Sequence, residues 1–225
     1  MRKIQRLAAV GAMASLTVAL GACGSSETPS AEAPASSAPS AAATTEAAAS
    51  DGVTTPDDVF GAACSALPQG DEPGGLTAMG PQPVATAAST NPLLTTLVAA
   101  VGMVPGLADT LNSQEAITVY APVDDAFAAT QAAVGDEAYT ALLADPTALG
   151  ALLSYHVVPE RLDRDGLVAA GTTTQLAGGE VTIAESGDTL TLTGGNGEPA
   201  TVLCGNIPTA NATVFAIDAV LMPAS

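Results

Sequence analysis

The chain has 225 residues, 48% of them hydrophobic but only 3% aromatic, with no tryptophan, and it carries a formal net charge of −18 from five basic and 23 acidic side chains. Such an excess of acid repels phosphate backbones and anionic lipid headgroups, which excludes nucleic acid as a partner and leaves membrane contact to something other than charge. One histidine and three cysteines without ligand spacing predict neither a metal site nor a metal cofactor.

Arg2, Lys3 and Arg6 precede an apolar run from Leu7 to Leu20 that closes on Leu20-Gly21-Ala22-Cys23. A basic start, a short apolar middle and small residues at the exit predict a secretory signal over residues 1–22, too short to span a bilayer stably. Its ending resembles a bacterial lipobox. On that reading the chain is cut before Cys23, the thiol takes up diacylglycerol, and the acyl anchor holds the protein on the extracytoplasmic face of the cell membrane. The alternative is ordinary secretion with cleavage near Ala22. Using Cys23 for the anchor leaves Cys64 and Cys204 as an even pair in an oxidising compartment, and a disulfide between them is expected. In the chain-entropy model that loop contributes about 4–5 kcal/mol. Two free thiols used for catalysis or metal are the competing reading.

Residues 23–55 read as a tether. From Gly24 to Ser50 the residues are small or polar with no aromatic and no large aliphatic side chain, so burial cannot offset the entropy of ordering. A flexible segment of that length averages about 30 Å end to end. Residues 56–225 are then one domain, long enough to bury roughly 70% of its unfolded surface.

Within the domain, Pro56-Asp57-Asp58 opens a helix carrying Val59, Phe60, Ala63 and Leu67, which Pro68 stops. Gln69 to Pro83 reads as a loop. Asn91-Pro92 caps a helix with Leu93, Leu94, Leu97, Val98 and Val101 on one face, ended by Gly102, and Gly106 to Leu111 forms a shorter helix. A strand follows from Ile117 to Ala121; Pro122 ends it, and Asp124 or Asp125 caps the helix bearing Ala126 and Phe127. Glu137–Leu143 and Thr147–Leu153 are two further helices, the second capped by Asp145-Pro146, and Tyr155 to Pro159 is a short apolar strand. Thr172–Leu176, Val181–Ala184, Thr189–Thr193 and Ala200–Leu203 then alternate with period two between glycine-rich turns, an antiparallel meander. Thr213 to Met222 is apolar apart from Thr213 and Asp218, which reads as a strand covered on both faces. Helices first and strands later give an α+β class.

Three stretches, Thr118-Val119-Tyr120-Ala121-Pro122-Val123-Asp124-Asp125-Ala126-Phe127, Tyr155-His156-Val157-Val158 and Asn211-Ala212-Thr213-Val214-Phe215-Ala216-Ile217-Asp218-Ala219-Val220-Leu221, resemble the paired motifs and central segment of the fasciclin-like domain. The resemblance extends over roughly Thr55 to Ala224, and is similar in particular to the secreted and lipid-anchored fasciclin-type antigens of mycobacteria. It implies N-terminal helices packed on an antiparallel sheet in a wedge-shaped sandwich, with the segments around Val119 and Val214 sharing that sheet. The family usually has asparagine at the position of Asp124. In animal relatives, integrin contact is attributed to a tyrosine-histidine region and to an Asp-Ile pair; the matching positions here are Tyr155, His156, Asn206 and Ile207, with the carboxylate lost at Asn206. Core packing is the competing role for these side chains.

Catalytic chemistry finds no support in the remaining motifs. A lone histidine on an apolar strand suits a neutral structural role, Ser154 lacks a Gly-x-Ser-x-Gly elbow, and Asp163-Arg164-Asp165-Gly166 lacks the spaced ligands of a calcium loop. Asn211-Ala212-Thr213 matches a glycosylation sequon but sits where a turn enters the last strand. The expectation is a non-catalytic, monomeric, cofactor-free binding module at the cell surface, meeting an unknown protein or glycan by adhesion. The alternative is a carrier holding a small lipid or glycolipid in an apolar groove.

Overall fold

The computed structural model describes residues 51–68 and 70–224; Cys23 and the signal and tether expected before residue 51 lie outside them. Helices α1 (Leu76–Met79), α2 (Val84–Thr90), α3 (Thr95–Met103) and α4 (Leu107–Ser113) precede strand β1 (Ile117–Pro122). Then come α5 (Asp124–Val134), α6 (Asp136–Ala144), α7 (Pro146–Tyr155), β2 (Val157–Val158) and α8 (Arg164–Ala170). The chain closes with β3 (Thr172–Thr174), β4 (Glu180–Ser186), β5 (Thr189–Thr193), β6 (Pro199–Pro208) and β7 (Ala212–Ile217).

The strands form one mixed sheet in the order β2-β1-β7-β6-β5-β4-β3. Strands β1 and β7 lie side by side and parallel, with Val119 opposite Val214, while every other pairing is antiparallel. The expected sheet is antiparallel; the parallel pair closes a long excursion in which the chain leaves β1 through α5–α8 and β2–β6 and returns beside it as β7. Strand β6 turns the corner. Its first half pairs with β5 and its second with β7, and the register slips between Val202 and Ile207, where Asn206 adopts a φ of 58°. At the opposite edges the Leu176 N–H donates to Val157 O at 2.7 Å, so the sheet nearly closes into a barrel.

That curvature explains why β1 and β7 lack a polar face. Val119, Ala121, Val214 and Ala216 point to the cluster under the helices, whereas Tyr120, Phe215 and Ile217 point to the second cluster inside the curve. Every residue of both strands is buried. Asp218, just past β7, accepts the Thr201 N–H at 2.6 Å and holds the corner strand in place.

Several local expectations change. The first helix is two 3-10 turns, Pro56–Asp58 and Ala62–Ala66, because Phe60 pairs with Gly205 as a β-bridge and Gly61 takes a φ of 113°. Cys64 in the second turn is bonded to Cys204 of β6. Within the expected loop before residue 83 lies α1, and α2 and α8 are helices that the sequence pattern left unread. Asp124 caps not its own helix but the start of α3, accepting the Thr96 N–H at 2.7 Å and the Thr95 hydroxyl at 2.6 Å. Residues 51–55, assigned to the tether, are part of the packed domain. Thr54 is buried, and the Gly52 carbonyl accepts from the Thr213 hydroxyl at 2.5 Å and from Arg161 Nε at 3.2 Å.

Candidate functional site

Tyr155, His156, Asn206 and Ile207 are all buried, with exposures of 1%, 3%, 7% and 2%, in keeping with the core-packing role. Each ties remote segments together. Tyr155 ends α7 instead of lying on a strand, and its hydroxyl donates to Glu180 O at 2.8 Å while accepting the Gly195 N–H at 3.0 Å. Asn206 donates from Nδ2 to Asp58 O at 3.1 Å and accepts the Arg164 N–H on Oδ1 at 2.9 Å. Ile207 packs in the cluster under the helices.

His156 caps the C-terminus of α7. Its Nε2 accepts the Leu221 N–H at 2.9 Å, so the ring proton sits on Nδ1 and is donated to Leu152 O at 2.9 Å. Burial lowers its pKa to about 4, against the opposing pull of the Leu152 carbonyl. With both nitrogens committed to the backbone, the ring has none left for a proton relay or a metal. Ser154 lies within α7.

Other polar groups are also tied into the fold. Asn211 of the sequon is buried: its Oδ1 accepts the Val84 N–H at 2.9 Å, and its Nδ2 donates to Leu111 O and Gln114 O, both at 2.8 Å. Arg161 spends its donors on the carbonyls of Gly52, Thr209, Ala210 and Ala212 and on the Thr213 hydroxyl. Arg164 pairs with Glu185 at 2.8 Å and lies 4.7 Å from the centre of the Phe60 ring. Among the described residues no group of three or more His, Cys, Asp or Glu side chains could hold a metal ion, and no helix is long and apolar enough to cross a membrane.

The apolar groove that the carrier alternative calls for, which the sequence does not place, is present as a cleft. Between α2, α3, α4 and the β1 side of the sheet lies an apolar opening of about 260 Å³. Ala85 and Ala88 form one wall, Val98 and Val101 another, and Val119 and Val157 the floor. His156 also borders it, yet no charged side chain does. The opening exists because α2 turns alanines toward α3, where larger aliphatic side chains would meet it. Its sequence signal was Ala85 and Ala88, three apart on one helical face, but α2 itself escapes detection. Pro83 stands at its cap position, and the caps come from far along the chain: Asn211 for Val84 and Asn112, at 3.0 Å, for Ala85.

A family model for the fasciclin domain matches residues 92–223, more than half of the chain. The immunogenic protein MPB70 of Mycobacterium bovis is 41% identical over 174 residues, covering 74% of this chain and 83% of that protein. The cell surface glycolipoprotein MPT83 of Mycobacterium tuberculosis is 38% identical over 177 residues, covering 74% and 73% respectively. Among solved structures, the FAS1 domain pair of the insect cell adhesion molecule fasciclin I superposes with a TM-score of 0.48 at 20% identity, over 57% of this chain and 45% of that one.

Proposed function

The chain belongs to the fasciclin family, and from that premise we propose that it is a lipid-anchored protein of the extracytoplasmic membrane face whose domain adheres to a surface protein or glycan without catalysis. The observation that carries this reading is the similarity, across the domain, to a cell surface glycolipoprotein, joined to the Leu20-Gly21-Ala22-Cys23 lipobox at the head of the chain. The Ala-, Ser-, Pro- and Thr-rich composition of residues 24–50 supports a tether between anchor and domain. The absence of catalysis is supported by His156, whose ring nitrogens are both used to hold backbone. Metabolic labelling with an alkynyl fatty acid tests the anchor: the expected result is label on the wild-type chain, lost in Cys23→Ser, with processing arrested by globomycin. An unlabelled mature chain that begins elsewhere than Cys23 would overturn it.

A second reading, that the domain carries a small lipid, is favoured by the apolar cleft between α2, α3 and α4. Lipid retained by the intact protein in native mass spectrometry is its direct test.

A further inference from the structure

We propose that the cleft bounded by α2, α3 and α4 binds one aliphatic chain carrying an uncharged headgroup, as in a monoacylglycerol. The proposal rests on the carrier reading and specifies its ligand.

Size comes first. An apolar cavity of about 150 Å³ already admits benzene, and drug-sized ligands occupy pockets of roughly 300–1,000 Å³. At about 260 Å³ the cleft lies between the two, a size that suits a single aliphatic chain.

Charge narrows the choice further. No Lys, Arg, Asp or Glu lines the cleft, and its one histidine has no free nitrogen to offer. The two arginines among the described residues are engaged elsewhere, Arg161 by backbone carbonyls and Arg164 by Glu185. A fatty-acid carboxylate at the mouth would find no cation and would feel a chain whose net charge is −18. A neutral headgroup meets no such penalty. It would rest at the rim, where Ser89 and Gly102 are exposed, and leave the aliphatic part against Val98, Val101 and Val119.

The walls are also held apart. An unfilled apolar gap between helices closes when the helices can slide together. Here Asn211 and Asn112 pin the first turn of α2, and Asp124 pins the first turn of α3. These ties run to the turn before β7, to α4 and to the start of α5 and do not depend on what fills the space between. The opening is thus preformed, which lowers the ordering cost of binding.

The test is a titration of the full chain carrying Cys23→Ser, so that no acyl anchor competes, with monodecanoylglycerol and separately with decanoate, both below their micelle concentrations. Methyl NMR of valine and leucine reads the site. We expect saturable shifts confined to Val98, Val101, Leu111 and Val119 with monodecanoylglycerol, and weaker binding of decanoate. Ala88→Leu fills the cleft and should weaken binding roughly tenfold or more, as loss of methylene contacts in an apolar pocket does, with the melting temperature held or raised. Ala108→Leu serves the same purpose should Ala88→Leu fail to fold. Equal binding of both ligands would overturn the neutral-headgroup assignment and leave the carrier reading standing. Absence of saturable binding, or binding that both fillers leave unchanged, would overturn the site itself. Shifts of the same methyl groups on raising protein concentration alone would place a second copy in the cleft and overturn it likewise.

Discussion

At the scale of single residues, His156 shows how a side chain that invites a functional reading can be structural. Its ring joins the end of α7 to the segment after β7 through Leu152 O and the Leu221 N–H, in the neutral form. Because the folded pKa is depressed to about 4 from an ordinary value near 6.5, the sign of the linkage is fixed. Above pH 6.5 the ring is neutral in both states and its full contribution is present. As pH falls from 6.5 toward 4 the unfolded chain takes up a proton that the folded chain refuses, and stability drops by up to about 3 kcal/mol. Urea unfolding of wild type and His156→Gln across that window should show the wild-type curve falling more steeply, with the variant lower at pH 7.5 by about 1–3 kcal/mol for its poorer backbone pairing. Parallel curves would remove the histidine from the pH dependence. Gly205 makes a steric case of the same kind: a Cβ there would lie 2.5 Å from the Phe60 ring and 2.8 Å from Phe215. Gly205→Ala must therefore displace a core aromatic, with an expected cost of about 1–3 kcal/mol in chemical denaturation.

At the scale of elements, what the sequence shows depends on whether the defining interactions are local. Strand β7 and α7 are legible because a continuous apolar run and the Asp145-Pro146 start lie within the elements themselves. Helices α2 and α3 owe their first turns to Asn211, Asn112 and Asp124, contributed by other segments, so periodicity and neighbouring caps misplace one and miss the other. The cleft between them was unreadable for the same reason, since a gap belongs to the distance between helices. For the residues that the resemblance offers for partner contact, burial favours the competing role of core packing. A family resemblance points to Tyr155 and His156, and burial, which no residue identity displays, turns them inward. Asp124 gives the element-scale prediction. Burial raises the pKa of its carboxyl, but the hydrogen bonds from Thr95 and Thr96 outweigh it and the net shift is downward. Its contribution is therefore present above the ordinary carboxylate range and is lost as pH falls through the lower folded value. Asp124→Ala should cost about 1–2 kcal/mol, and Asp124→Asn less, because one acceptor oxygen survives. Calorimetry at neutral pH, with hydrogen exchange of the Thr96 amide as the local reporter, checks the order.

At the scale of the whole domain, its first residues are joined to the rest by covalent and noncovalent ties that all span more than 100 residues. The disulfide from Cys64 to Cys204 closes 140 residues. Near it, Phe60 and Gly205 exchange backbone hydrogen bonds at 3.3 and 2.8 Å, and further upstream the Gly52 carbonyl is held by Thr213 and Arg161. A cross-link of that span should contribute about 5 kcal/mol in the chain-entropy model, which for a domain of this size corresponds to roughly 10–20 °C in melting temperature. The noncovalent ties imply that reduction lowers stability without unfolding the domain at 25 °C. Calorimetry with and without reductant should therefore show one cooperative transition moved down by that interval, not a transition lost. The Cys64→Ala/Cys204→Ala double variant should match the reduced wild type and no longer respond to reductant. Hydrogen exchange separates global from local effects. If the cross-link acts on the whole unfolded ensemble, reduction should lower protection in β1 and β7 as much as around Phe60. Loss confined to residues 51–67 would mean that the bond only fastens the first turns to β6, and the cooperative contribution assigned to it here would be wrong.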